Sequence, residues 1–412
     1  MRFCRRAARI SLVAPGYYCR PIFSVHQDSS SIVFRPDKIE RAMPRSSNSE
    51  KRSSSLKKSS SSTPSAVGAR LGPAGLTRSK RRVPGTNHSP TLTHVDKPRR
   101  FDQEELALPA PAVHRAANGV GWLPVPGWRF PWLWSGFSTR IGGVSRAYSV
   151  DDASGELNLG FTAADDRESV AQNRRMLAEA VTGSAETPLV TLRQFHSTLI
   201  VSASRADTAR KSLRHSDGLP RRADGIMTSE SGFLIAVQTA DCIPVLVADT
   251  RLHVVAAFHA GWRGTVKRIV ESGVGRMMLE FGSRPADLVA AIGPGIGACC
   301  YAVGDEVLSE FDSQFMYARE LFREVYDADP VRKKYPMLFL TQRAPGHSSI
   351  GPHLHLDLIE ANRRQLLASG LRPQAVQIVG GCTQCHRGLF FSHRGSHGHA
   401  GRMMAVIGLR AT

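Results

Sequence analysis

No stretch of this chain approaches the roughly 20 consecutive apolar residues that a membrane-crossing helix needs, which sets spanning functions aside. An export signal is also missing, because Pro15 and Gly16 interrupt the short apolar stretch of MRFCRRAARISLVAPGYY. The seven cysteines are an odd number for a disulfide framework in a chain of 412 residues without such a signal. Thiol or metal chemistry is the better expectation for them. The glycine-rich segment IGPGIGACCYAVGDEV (292–307) has neither the Walker lysine nor the Rossmann spacing, so a structural turn competes there with a phosphate cradle. The H-x-E…P-C-x-x-C signature of base deaminases is absent as well.

Acidic residues are scarce in one region only. Residues 1–100 hold 21 Lys and Arg against 5 Asp and Glu, whereas residues 101–412 hold 33 against 30. The formal charge of +19 therefore belongs to the first hundred residues, and no nucleic-acid role is expected of the remainder. The run SSNSEKRSSSLKKSSSSTPS (46–65) has too little apolar surface to offset its chain entropy, which predicts disorder. Residues 1–118 are read as a basic, Ser-rich extension and residues 119–412 as the folded domain. The extension fits an organelle transit peptide, a nucleic-acid arm, although no aromatic interleaving supports base stacking, or a mis-assigned start with Met43 as a later one. Unless it is a transit peptide, the expected compartment is the cytoplasm.

In the folded part, GWLPVPGWRFPWLWSGFSTRIGG (121–143) reads as a loop leading into a short strand. DDRESVAQNRRMLAEAVTG (165–183) reads as a helix closed by Gly183, and PLVTLRQFH (188–196) as a strand ending at His196. FLIAVQ, IPVLVA and HVVAAF read as strands. TVKRIVESGVGRMMLEFG (265–282) has helical spacing with Thr265 as N-cap, and LHLDLIEANRRQLLASG (354–370) reads as a further helix. AVQIVGG and GRMMAVIGL close the pattern as strands. Hairpins mixed with helices, without a regular βαβ repeat, predict an α/β fold of the α+β kind, a single domain with mixed β-sheets packed between helices.

The segment TADCIPVLVAD (239–249) sets a thiol at the mouth of a buried strand. If CIPVLVA and HVVAAFH form a hairpin centred between Thr250 and Arg251, Cys242 faces His259 across the ladder, close enough to share a metal or a proton. A loop with an odd residue count breaks that register. His196, at a strand end, is a possible third ligand for zinc, whose catalytic sites keep a fourth position open. The competing readings are a packing thiol for Cys242 and a surface histidine for His196.

CTQCH (382–386) matches a haem-attachment pattern literally, but such attachment requires export. Cys382 and Cys385 with His393, His397 and His399 form a second candidate zinc set. Cys299 and Cys300 are adjacent, so at most one of them is expected to serve any site. Arg140 of FSTR, Arg263 of GWRG and Arg394 of FFSHR each follow a strand-like run and suit an anion of phosphate size. A solvated arginine is the alternative for each.

Taken in order, FSTRIGGVS, LNLG, QFHS, ADGIMT, TADCIPVLVAD, AFHAGWRGT, IGPGIGACCYAVGDEV and GRMMAVIG resemble the YfiH/YlmD family. Its members are also known as FAMIN-like purine nucleoside phosphorylases, and older naming calls them multicopper polyphenol oxidases or laccases. The resemblance covers residues 120–410. It implies one zinc ion on His196, Cys242 and His259, with copper as a lesser possibility. It implies phosphorolysis of adenosine, inosine and S-methyl-5′-thioadenosine, with zinc-dependent adenosine deamination in the same pocket. Purine nucleosides and phosphate are the expected partners. On this footing Asp241, Cys242, Arg263 and Glu306 are catalytic candidates, with Asp241 or Glu306 supplying a proton to the departing purine. Ser138, Arg140, Arg263, Cys300 and Arg394 are the candidates for binding substrate. His393 replaces the family's usual tyrosine, and Phe195 stands in the middle of QFHS. Three rivals remain: a Cys–His hydrolase built on Cys242 and His259, a binding protein whose pocket holds purine nucleosides as a signal, and a copper-dependent polyphenol oxidase, for which one Cys–His–His set offers too few ligands.

Overall fold

The computed structural model describes residues 100–102, 106–149, 155–210, 221–326 and 352–411. The Ser-rich run and Met43 lie outside the described residues. Upstream of 119 the described chain already joins the domain, since His114–Arg115 pairs antiparallel with Gly121–Leu123.

Two six-stranded sheets form the centre. Sheet I runs Val376–Ile378, Leu288–Ile292, Ile243–Asp249, Val255–Ala260, Gly225–Thr228, Ile200–Ser202. Sheet II runs His114–Arg115, Gly121–Leu123, Leu133–Ser138, Met403–Leu409, Leu234–Thr239, Leu189–Val190. Both are mixed, with antiparallel centres and a parallel pair at an edge. A smaller four-stranded sheet joins Arg100–Asp102, Phe322–Tyr326, Pro352–Leu356 and Ala302–Val303.

Alternation along each strand decides the layering, because successive side chains leave opposite faces. In sheet II, Ile235, Val237, Met403 and Ala405 meet Leu246, Ala248, Val255 and Ala257 of sheet I between the two sheets. The other face of sheet II, through Leu234, Ala236, Met404 and Val406, packs on Leu177 and Ala178 of the Arg167–Thr182 helix. The other face of sheet I, through Val245, Val247, Ala256 and Phe258, packs on Val270, Val274 and Met277 of the Ile269–Phe281 helix and on Leu366 of the Leu358–Ala368 helix. The order is helix, sheet, sheet, helices, as the sequence predicts. Strands covered on both faces explain why IPVLVA and MMAVIGL read as unbroken apolar runs.

The first helix begins at Asp166, whose carboxylate accepts from the Ser169 N–H, and ends at Gly183 with φ of 86°. The 265–282 reading needs correction. Two helices stand there, Trp262–Val266 and Ile269–Phe281, with Arg268 at φ 62° breaking the run. Thr265 is not an N-cap. It lies inside the first helix, and its own N–H bonds the Gly261 carbonyl at 2.8 Å. The 354–370 reading likewise splits into the Pro352–Leu356 strand and a helix capped by Asp357.

Gly273 lets the Ile269–Phe281 helix lie against sheet I, because a Cβ there would run into the Phe258 ring. Alanine gains up to about 1 kcal/mol of helix propensity, while overpacking a core costs about 1–3 kcal/mol. Gly273→Ala is expected to lower the urea midpoint by the equivalent of about 1–2 kcal/mol without changing the slope. A raised midpoint would show that the helix shifts freely.

Candidate metal centre and cavity

The chain crosses from sheet II to sheet I through Ala240, Asp241 and Cys242, between Leu234–Thr239 and Ile243–Asp249. Asp241 takes a φ of 91° at this corner, a conformation that aspartate tolerates better than most residues. The hairpin that follows has a register one residue further along each strand than the even loop centred on Thr250 and Arg251 would give. His259 lies opposite Pro244, and Ile243 opposite Ala260. Cys242 and His259 are thus diagonal neighbours rather than direct partners. Side-chain parity is unchanged, so both still face the space between the sheets.

Extending the pairing places Gly261 against Cys242. A Cβ on Gly261 would stand 2.8 Å from the Cys242 sulfur and 2.9 Å from His196 Cδ2. Glycine leaves the room in which His196 approaches. His196 does not end a strand. Only Leu189–Val190 pairs as strand in that segment, and His196 sits in a loop at φ 65°. Gln194 holds this loop to sheet II, donating to the Gln238 carbonyl at 2.8 Å and accepting from its N–H at 2.7 Å.

Asp224 has no role in the sequence reading, yet it organises the site. Wholly buried, its carboxylate accepts the His196 N–H at 3.0 Å, the Ser197 N–H at 2.6 Å and the Ser197 hydroxyl at 2.7 Å. It also meets His259 Nδ1 at 2.8 Å, leaving Nε2 toward the site. A carboxylate behind a histidine in this way fixes ring and tautomer for metal binding. One signal was present in the sequence: Asp224 opens the strand of ADGIMT, and the pairing of Gly225 with Phe258 carries Asp224 to His259.

The ligand atoms of His196, Cys242 and His259 lie within 4.8 Å of one another, and Cys242 Sγ is 3.7 Å from His196 Nε2. A tetrahedral zinc with bonds of about 2.0–2.3 Å separates its nitrogen and sulfur ligands by about 3.6 Å. The donor set and spacing therefore fit a three-ligand metal ion. Electrostatics agree. Burial alone would push the Cys242 thiol up, but the His259 charge and hydrogen bonds from both histidines bring it down to about 6. Burial would lower His259, which the thiolate and Asp224 instead raise to about 9. Asp224 lies at about 2 despite its burial, because His259 and Ser197 bond its ionised form.

These residues form one side of a cavity of about 570 Å³, within the range of small-molecule sites. Asp241, Arg263 and Arg394 also line it, as do Arg193, Trp262, Tyr301 and Arg402. The Arg263 guanidinium lies over the Trp262 ring, 4.4 Å from its centroid, and Arg394 lies 5.4 Å from that of Tyr301. Asp241 reaches the wall but is engaged. Its carboxylate accepts the Thr383 hydroxyl at 2.7 Å and the Arg394 N–H at 2.6 Å, joining two loops.

Four candidates stay outside the cavity wall. Arg140 is buried and bonds Glu156 through two nitrogens, at 2.7 and 2.8 Å, and the carbonyls of Tyr148 and Arg387 at 2.8 Å. A buried guanidinium so engaged has no face left for phosphate. Ser138 is buried and its hydroxyl accepts the Met404 N–H. Glu306 lies exposed in the first turn of the Asp305–Asp312 helix. Cys300 lies beside a separate cavity. The second zinc set also fails to assemble. His399 donates from Nε2 to the Ala147 carbonyl at 3.1 Å and packs its ring against Tyr148, and His393 lines the larger cavity instead of joining Cys382 and Cys385.

Fold and site together define a class: a two-sheet α/β protein with a His–Cys–His metal-type trio at the mouth of its sandwich. Residues 134–410 match the family described as multi-copper polyphenol oxidoreductase laccase. The chain belongs to this family, the one that the YfiH and YlmD proteins represent. Purine nucleoside phosphorylase YlmD of Geobacillus stearothermophilus is 33% identical over 290 residues, 70% of this chain and 95% of that one. Adenosine deaminase RL5 of an unknown prokaryotic organism is 31% identical over 273 residues, 66% and 92% of the two chains. The crystal structure of YlmD from Geobacillus stearothermophilus matches with a TM-score of 0.58 at 31% identity, covering 73% of this chain and all 100% of that one. Among the described residues no helix is long and apolar enough to cross a membrane.

Two outcomes follow from this geometry. In metal-stripped protein, alkylation of Cys242 by iodoacetamide, followed on its own peptide by mass spectrometry, is expected to reach half its maximal rate near pH 6. A midpoint near the unperturbed value of about 8.5 would mean that no imidazolium stands beside the thiol. Arg140→Met leaves Glu156, whose side chain is only 13% exposed, without its partner and is expected to cost about 3 kcal/mol of stability, read as a lowered urea midpoint.

Proposed function

We propose that this chain is a purine nucleoside phosphorylase acting on adenosine, inosine and S-methyl-5′-thioadenosine, and that the same cavity deaminates adenosine. Phosphate attacks C1′ as the glycosidic bond breaks, giving the free purine and the corresponding ribose 1-phosphate. The observation that carries this reading is the juxtaposition of the trio with arginines and aromatic rings in one nucleoside-sized cavity. Relatives matched over nearly their whole length and named for phosphorolysis and for adenosine deamination support it.

The reaction asks the site to hold an anion, to orient a purine and to let it leave. Arg263 and Arg394 supply charge-assisted donors for phosphate. Trp262 and Tyr301 offer flat faces to the base. Burial holds the Tyr301 hydroxyl well above the usual tyrosine range, so it stays a donor to the departing ring. With Glu306 away from the cavity and Asp241 tied to Thr383 and Arg394, neither is assigned the proton transfer. His196, Cys242 and His259 would hold zinc with its fourth position open, and that ion would supply the Lewis acidity on which deamination depends.

Purified protein is expected to release base from these nucleosides only when phosphate is present, with ribose 1-phosphate as co-product from adenosine and inosine and 5-methylthioribose 1-phosphate from S-methyl-5′-thioadenosine. Cys242→Ala is expected to reduce kcat/KM by about 100-fold or more. Arg263→Ala is expected to raise the KM for phosphate by about 10-fold or more, as loss of charge-assisted hydrogen bonds predicts. Equal activity of wild type and Cys242→Ala would remove the trio from the reaction. Copper-dependent phenol oxidation without any base release would restore the oxidase reading.

A further inference from the structure

We propose that Cys299, Cys300, Cys382 and Cys385 form a second metal site, a closed tetrathiolate centre that takes zinc and fastens two walls of the cavity. None of these four residues lines the cavity that holds the His196–Cys242–His259 trio. Their sulfurs all lie within 4.8 Å of one another, with Cys385 at 3.4 Å from both Cys299 and Cys300. Four thiolates around one zinc at about 2.3 Å stand about 3.8 Å apart, so the cluster needs little adjustment to close on an ion. A disulfide is a poorer account. It joins two sulfurs at about 2.05 Å and leaves no reason for the other two to converge.

Two loops bring the cysteines together. Cys382 and Cys385 are the ends of CTQC, a spacing common in structural zinc sites. Adjacency in sequence predicts that at most one of the vicinal pair serves any site. Instead the pair sits in a tight turn where the N–H groups of Cys300 and Tyr301 both bond the Gly297 carbonyl at 3.0 Å. Helix-like turning separates successive side chains by about 100° rather than 180°, and both thiols reach the cluster. Gly297 donates its N–H to Cys382 Sγ at 3.3 Å, a bond that favours thiolate. A Cβ on Gly297 would lie 3.2 Å from both Cys299 Sγ and Cys382 Cβ, so the residue also makes room for the cluster.

Cys299 and Cys382 are fully buried, Cys300 is nearly so, and Cys385 reaches the surface. Arg387 and Arg394 line the adjoining cavity with Cys300 and Cys385, next to the net negative charge that four thiolates around a divalent ion would leave. Binding converts thiols to thiolates and releases their protons to solvent, with no change of oxidation state.

Both loops then continue to the active cavity. Ile296 donates its N–H to the Asp241 carbonyl, Thr383 donates its hydroxyl to the Asp241 carboxylate, and Gly295 pairs with Cys382 as an isolated bridge. Tyr301 follows the vicinal pair directly and lines the cavity. An ion at the four sulfurs would hold this wall to the corner that carries Cys242.

The test uses the full chain with Cys242→Ala, purified under reductant, so that the first site is disabled and its fate cannot affect the reading. About one zinc ion per chain is expected by elemental analysis. Replacement by cobalt is expected to give the intense thiolate-to-cobalt charge transfer and visible bands of tetrahedral sulfur ligation. Adding Cys385→Ser should release the ion, while Cys385→His should retain it with shifted cobalt bands. Should the serine variant fail to fold, the cobalt spectrum of the Cys242→Ala chain decides alone. A Cys242→Ala chain that binds no metal, a cobalt spectrum without sulfur ligation, or an intact mass showing a disulfide within this cluster would overturn the proposal.

Discussion

The carboxylate of Asp224 is the constraint on which the site depends. A buried anion is costly unless its lone pairs are filled, and here main-chain N–H groups of the His196 loop, the Ser197 hydroxyl and His259 fill them. The same contacts that offset its burial place His196 and aim His259. Satisfying one buried charge thus fixes two of three ligands. The third, Cys242, is set by the crossover between sheets, with Gly261 opposite it for clearance.

The layered fold explains why these contacts occur where they do. Pairing on both sides of Val255–Ala260 brings Asp224 from one neighbour and the Cys242 corner from the other. Each strand is buried on both faces, so a slip of one residue would turn His259 into the helix-facing core. Apolar packing on Phe258 and Ala257 therefore enforces the register that metal chemistry requires.

Much of this was legible in the residues. The Arg167–Thr182 helix, with its capping aspartate and terminal glycine, and the strands around Cys242 follow directly from periodicity. The spacing of Cys242 and His259 pointed to a shared site because parity survives a shift of register by one residue in each strand. What failed were judgements that need tertiary partners. Arg140 after a strand looks like an anion ligand until Glu156 is found against it. Asp224 belongs to no ligand spacing of its own, and only the pairing of Gly225 with Phe258 brings it to His259. The convergence of Cys299 and Cys300 was hidden because adjacency in sequence does not reveal a turn.

The position of Met403–Leu409 carries a consequence for how the protein is made. This strand, the latest described in the sequence, lies between Leu133–Ser138 and Leu234–Thr239 rather than at an edge. During synthesis, sheet II therefore waits with two unpaired strand flanks until the chain beyond residue 400 has left the ribosome. Such flanks are templates for unwanted pairing between nascent chains. A message truncated before this strand would yield two half-sheets with no shared centre, and the cavity wall at Arg402 would go with it.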